Sequence, residues 1–366
     1  MRLPPGLDGL LEPARFAVGL ARRQELHLLE GEGRAGGKPL TALCAGPADL
    51  VDALLKRAFA PGARRRSLGT VPLWETCAAL SRRAPGADLV LRFVRRSFEP
   101  LPRGPVVARL PAWVRMDIDL QSPLCAERGK DKRNRNRRTT AAGAFTTTLG
   151  RSEAEFAEFY DRFHLPLVTT RHGEGASVQS RAEVLAGLRG GQLRLIQVRG
   201  GGELVAGGTV ELDGDQAHFW QMGVRDGDPE LLRLGAADAV YHFMLALCRE
   251  NGVRVLNLGH CRPFARDGVF DYKCLLGAYA AARRDARRGS LDLAAPGLTP
   301  AAADFLADNP LIALEPGGRL SLRAFARDAE QAAARAEECR RRYCFMDTLG
   351  LRVFILAPGG PRETQA

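Results

Sequence analysis

The chain has 366 residues, with 53 Lys and Arg against 42 Asp and Glu for a formal charge of +11, 45% hydrophobic residues and 26% charged ones. That composition excludes a fibrous or largely disordered chain, and the length suffices for two domains of about 150 residues each. No apolar run reaches the roughly 18 residues a spanning helix needs, so a cytoplasmic protein with no transmembrane segment is expected.

In chain order, residues 1–35 read as an N-terminal extension of short apolar patches, ended by a Gly-rich joint at 31–39. A first lobe is expected over 36–135. It opens with a short strand from residue 40 and a helix in which Asp49 is placed to cap and Leu50, Val51, Leu54, Leu55 and Phe59 recur at three- and four-residue steps. A second helix near 71–83 follows, then strands at 88–94 and 113–120, the latter alternating Val114, Met116, Ile118 and Leu120. The lobe ends in a basic run, 128–138, which sets seven cations (Arg128, Lys130, Lys132, Arg133, Arg135, Arg137 and Arg138) against Asp131 alone. Such a run repels itself, so it stays solvated as an exposed loop or attracts a polyanion.

A second lobe is expected over 136–288. Ser152 caps an amphipathic helix carrying Phe156, Phe159, Tyr160 and Phe163, and a further helix covers about 180–191. Strands at 192–200, 203–212 and 216–224, joined by GGG and DGD turns, predict an antiparallel meander. Phe219 and Trp220 cannot share a face of their strand, so one belongs to the core and the other to a cleft. A long helix at 231–251 and a strand at 253–259 complete the lobe, and residues 289–366 supply a hairpin, a charged helix near 329–342 and a last strand. The fold class is therefore α/β with mixed sheets. The eight cysteines form no CxxC pair and no Cys/His ligand spacing, so buried free thiols and no metal site are expected.

The most specific stretch is 256–278, where a strand ends in Gly259 and is followed by Arg262, Pro263 and Phe264, then Asp267 and Gly268, and then Tyr272 and Lys273 before Gly277. With the preceding order of meander, helix and strand, it resembles the closing motif of the Fem-like, GNAT-related acyltransferases, which include the peptidoglycan-bridge aminoacyltransferases. The basic segment before the second lobe, and Pro166 with Arg171 to Gly173 after the aromatic helix, agree with it. The resemblance spans about 85–325 and is strongest over 215–280. It implies tandem GNAT-like lobes, each a mostly antiparallel sheet with flanking helices, in which two strands splay to admit the donor. It also implies transfer of an acyl or aminoacyl group to the amine of a small-molecule or peptide acceptor. The donor, a co-substrate rather than a bound cofactor, would be aminoacyl-tRNA or acetyl-CoA or another acyl-CoA. That makes tRNA a candidate partner, and DNA is not expected.

Within that frame Lys273 is the expected catalytic cation, since acyl transfer builds an oxyanion that a fixed positive charge stabilises. Asp267, or Asp271, is a candidate to hold the amine or take its proton, and His260, just past the strand end, is a candidate base. Arg262, Tyr272, Phe264, Trp220, Arg171 and His172 are expected at the substrate, Arg262 through a bidentate grip on carboxylate or phosphate, and His172 competes as base with Glu174 as its orienting partner. Arg133, Arg135, Arg137, Arg138, Arg225 and Arg233 are expected to meet the donor or a polyanion. The segment 224–236, where a CoA pyrophosphate loop would lie, keeps Arg225, Arg233 and Gly235 but carries Asp226, Asp228 and Glu230, which repel phosphate. The alternative is a non-catalytic, degenerate GNAT-like module that binds RNA or another polyanion through the basic run.

Overall fold

The computed structural model describes residues 23–72, 75–83, 86–94, 106–172, 181–189, 191, 193–281, 289–343, 349–357 and 360–364. Among these residues the fold is mixed α/β, with three sheets of six, seven and four strands.

The six-stranded sheet runs β3 (Arg64–Pro72), β1 (Arg23–Glu32), β2 (Pro39–Ala45), β4 (Leu89–Val94), β13 (Ser290–Ala294) and β5 (Val106–Pro111). Ten residues of the expected N-terminal extension are thus strand. The expected joint is a reversal: Gly36 and Gly37, at φ 81° and 63°, turn the chain so that Glu32 pairs with Pro39. Glycine-rich sequence reads equally as linker or turn until the partner strand is known. Helix α1 (Ala48–Ala58) buries Leu50, Val51 and Leu54 as its periodicity requires, and the helix expected near 71–83 is α2 (Thr76–Arg83). Strand β13, between β4 and the edge strand β5, comes from the C-terminal region and is pinned by Asp292, which is fully buried and accepts from Arg92 at 2.6 Å and from Arg109 at 2.7 Å.

The seven-stranded sheet runs β12 (Tyr279–Ala281), β6 (Val114–Asp119), β11 (Val255–Cys261), β10 (Gln216–Val224), β9 (Glu203–Asp213), β8 (Leu193–Gly200) and β7 (Thr146–Gly150). The meander is present as expected. The strand expected in the first lobe, β6, instead pairs antiparallel with β11 and β12. The basic run is helical rather than loop: α3 (Pro123–Arg128) leads through Gly129 into α4 (Lys130–Ala142), so a boundary at 135 would pass through α4. Arg133 explains why so charged a helix packs. Its guanidinium donates to the carbonyls of Leu276 at 3.0 Å, Cys125 at 3.2 Å and Ala126, while Lys132 pairs with Asp238 at 2.9 Å.

Ser152 caps α5 (Glu153–Phe159) through a reciprocal capping box with Glu155. The helix widens into a π turn at Tyr160–His164 and continues as α6 (Leu165–His172), past Pro166. Phe156, Phe159 and Phe163 pack on Leu193 and Leu195 of the sheet. After α7 (Arg181–Arg189), the expected helix at 231–251 is two, α8 (Pro229–Arg233) and α9 (Ala236–Glu250), broken at Gly235 with φ 90°. A Cβ there would lie 2.1 Å from a Thr139 methyl, so glycine lets α4 lie against the start of α9. Helix α10 (Gly268–Leu275) carries Lys273. The four-stranded sheet, β14 (Leu311–Leu314), β15 (Leu320–Ala326), β16 (Gly350–Ala357) and β17 (Gly360–Thr364), holds the expected hairpin and last strand, flanked by α11 (Pro300–Asp308) and α12 (Ala329–Tyr343). Among the described residues no helix is long and apolar enough to cross a membrane.

Candidate active site

Strands β10 and β11 are parallel neighbours for three residue pairs only, Gln216 with Val255, Ala217 with Leu256 and His218 with Asn257. Beyond these their ladder ends, although β10 continues to Val224 and β11 to Cys261. Both strands are irregular where they part. In β10, Trp220 is an extra residue between the Phe219–Val210 and Gln221–Thr209 pairs with β9. In β11, Gly259 adopts φ 77° and donates its N–H to Asn257 Oδ1 at 2.6 Å. A Cβ on Gly259 would lie 3.9 Å from both Lys273 Nζ and the Phe219 carbonyl oxygen. The ammonium therefore sits in the fork between the two strands.

Lys273 is 6% exposed, and Nζ donates to the His260 carbonyl at 3.3 Å. No carboxylate among the described residues forms an ion pair with it. A buried cation without a counter-ion is costly, and the same desolvation strengthens its pull on any negative charge formed beside it. The α10 helix that presents it is fixed at both ends. Asp267 caps its start, accepting from the backbone N–H of Val269 at 3.0 Å and of Phe270 at 3.3 Å. At its end Gly277 has φ 94°, and a Cβ there would meet the Cys125 carbonyl oxygen at 2.4 Å. Tyr272 is held by Asp238, to which its hydroxyl donates at 2.9 Å, and by the rings and charges of Tyr241 and Lys132. Burial pushes its phenol far above the usual range.

The remaining expected site residues divide. Arg262 is not open to a substrate carboxylate: it is paired with Asp49 of α1, donates to the Ala112 carbonyl at 3.1 Å and lies 3.8 Å over the Trp113 ring, bracing the first sheet against the second. Phe264 is 1% exposed in the core of the first sheet, so it packs rather than lines a cleft. Phe219 is core and Trp220 is 41% exposed, with its indole N–H on Glu211 at 2.9 Å and His218 against its ring at 4.1 Å. His260 is half-buried on β11, and Asp271 is engaged by Arg342 at 2.6 Å. The side chains of Arg171 and His172, and Gly173 and Glu174 entirely, lie outside the described residues. Of the basic set, Arg133 is spent on carbonyls, whereas Arg135, Arg137 and Arg138 are exposed. Cys261 neighbours Lys273, yet burial pushes its thiol up to about 11, which argues against a thiolate nucleophile.

Before α9, Arg225 pairs with Glu203 of β9 at 2.7 Å, Arg233 pairs with Glu230, and Asp226 faces Arg162. The Asp228 carboxylate accepts the Glu230 N–H at 2.7 Å at the start of α8, whereas the start of α9, at Gly235, has no side-chain cap. Three buried polar residues were less legible from the sequence. His164 sits in the π turn with Nδ1 3.0 Å from the Met222 carbonyl, and Gln221 and Thr209 face each other across β9 and β10 with no hydrogen-bond partner for the Gln221 amide or the Thr209 hydroxyl. Only the place of Gln221 beside Trp220 on the strand bordering the fork hinted at any of them.

Residues 126–274 match the family described as the acetyltransferase (GNAT) domain, a segment that runs from α3 to the residue after Lys273. No curated protein matches the sequence. Among solved structures, FemX is 12% identical, with 74% of this chain and 87% of that chain covered at a TM-score of 0.36. L-PGS from Bacillus licheniformis is also 12% identical, covering 83% and 95% at 0.33. The ribosomal-protein-S18-alanine N-acetyltransferase from Escherichia coli is 16% identical, covering 40% and 91% at 0.28. These likenesses are remote and say nothing of a substrate. The family match carries the resemblance to GNAT-related acyltransferases and supports acyl transfer in general.

Proposed function

We propose that the protein is an N-acyltransferase that moves an aminoacyl or acyl group from an activated donor to an amine acceptor in the fork between β10 and β11. The carrying observation is Lys273, a buried ammonium in that fork with no carboxylate ion pair among the described residues. When the amine attacks the donor carbonyl carbon, the carbonyl electrons pass to oxygen. Lys273 then supplies the hydrogen-bond donor and charge for that oxyanion in a water-poor setting, an effect worth a few kcal/mol. As the intermediate collapses, the donor's leaving group departs and the attacking nitrogen gives up a proton, for which His260 is the proposed acceptor. Asp267 acts here as the cap that orients α10, and Tyr272 as a brace.

Aminoacyl-tRNA is proposed ahead of acyl-CoA, because Arg225 and Arg233, the cations before α9, are already paired with Glu203 and Glu230 in a segment that also carries Asp226 and Asp228. The test is label transfer from aminoacyl-tRNA and, separately, from acetyl-CoA to a panel of amines. Transfer from charged tRNA alone is expected. Transfer from acetyl-CoA would overturn the donor assignment. Transfer from neither, with RNA retained, would favour the non-catalytic polyanion-binding module.

A further inference from the structure

Helices α4 and α9 flank a half-open cavity of about 220 Å³, smaller than the roughly 300–1,000 Å³ of sites for drug-sized ligands. Its lining is cationic, with Arg133, Arg137, Arg249 and His242 and no carboxylate among the described residues, and Leu245 is its one apolar wall. Arg133 is held by backbone carbonyls, but Arg137 and Arg249 make no hydrogen bond or ion pair among the described residues, and both are exposed. Their charges, after burial, hold the His242 imidazole below its ordinary range. Asn136 also lines the cavity and is 1% exposed, with an amide that lies beside the Tyr272 hydroxyl but makes no well-aligned hydrogen bond. Repelling cations and an unsatisfied buried amide are each unfavourable alone, and each is relieved by an oxyanion carrying lone pairs and a hydroxyl.

We propose that this cavity binds the phosphate of a small phosphomonoester. Two uncommitted guanidiniums match the two charges of a monoester, Asn136 adds an amide donor to the lining, and the volume leaves room for a short carbon chain against Leu245. A nucleic-acid backbone carries one charge per phosphate, so it matches the paired guanidiniums less well than a dianionic monoester does. The site is lined by the middle and end of α9 rather than by its first turn, where a pyrophosphate loop would lie. It goes beyond the acyl-transfer reading and does not depend on it.

The test is calorimetric titration of the full chain, in a low-salt buffer free of phosphate, with glycerol 3-phosphate, inorganic sulfate and a short single-stranded RNA. Glycerol 3-phosphate is expected to bind more tightly than sulfate, to shift the His242 ring resonances, and to lose about tenfold in affinity in each of Arg137→Gln and Arg249→Gln. Both residues are exposed, so the variants are expected to melt as the parent does. Lys130→Gln, an equal charge change outside the cavity, is expected to leave the affinity within about twofold. The proposal is overturned if glycerol 3-phosphate binds no better than sulfate or if Lys130→Gln weakens it as much as the cavity variants do. It also falls if RNA binds through Arg137 and Arg249 and glycerol 3-phosphate does not displace it. Because no turnover is measured, these outcomes are separate from the fate of the acyl-transfer reading.

Discussion

Asp267 shows how a residue of the right chemical type takes a different job once its backbone is known. As an acid beside a lysine it reads as a proton acceptor, but its carboxylate spans two N–H groups at the start of α10. Asp267→Asn, which keeps an acceptor at the cap, is expected to cost only a few tenths of a kcal/mol and to retain activity, whereas Asp267→Ala costs about 1 kcal/mol in chemical denaturation. A collapse of turnover in the Asn variant at unchanged stability would restore the acid–base role. Cys261 makes the complementary case. With its thiol pushed up to about 11 and buried beside Lys273, it is expected to resist iodoacetamide at neutral pH, as peptide mapping by mass spectrometry would show. Gly277 is fixed more rigidly than either, by its positive φ and the Cys125 carbonyl. Gly277→Ala is expected to destabilise the fold by at least ~2 kcal/mol in the same denaturation experiment.

Elements with strong periodicity were readable, and elements whose existence depends on a distant partner were not. The meander, α1, α5 and α12 follow from amphipathic spacing, with a local cap at the start of α5, whereas Asp49 does not cap α1 and pairs with Arg262 instead. β1, β3, β5 and β13 carry no comparable local signature, because a strand in a mixed sheet is decided by neighbours from elsewhere in the chain. The basic run departs from its expected loop for a related reason: its charge argues for solvation, yet Arg133 and Lys132 find a carbonyl and a carboxylate contributed by residues more than a hundred positions away. The motif around Lys273 was legible as a pattern, while the packing role of Phe264 and the bracing role of Arg262 required the first sheet to be in place. Arg262 and Asp49 therefore define a testable coupling between elements. Removing Asp49 leaves a guanidinium that is largely buried without its counter-ion, so Asp49→Ala is expected to lose about 2 kcal/mol, and much less when Arg262 is already Met. Additive effects in that double-mutant cycle would mean the brace is idle.

At the level of the molecule, the sheets are interlocked, since β13 crosses back from beyond the second sheet to lie between β4 and β5 of the first. Asp292→Ala is expected to cost about 3–5 kcal/mol by stranding Arg92 and Arg109, read from a denaturation midpoint. Acid sensitivity has a sign set by His27, His164 and His242, all held below the ordinary histidine range by burial first. The unfolded chain takes up these protons more readily than the folded one, so their contribution is intact above about pH 6.5 and is lost as pH falls through the lower folded values. The melting temperature at pH 5.5 is expected below that at pH 7.5, and a rise on acidification would contradict the neutral burial of these rings. The fork between β10 and β11 matters to function only if Lys273 acts there on the transferred carbonyl. Its most direct test is single-turnover transfer from aminoacyl-tRNA by Lys273→Met, with circular dichroism and melting measured on the same sample. A rate loss of about a hundredfold or more with the fold and melting temperature kept is the expected result, and transfer at the parent rate by a folded Lys273→Met protein would contradict it.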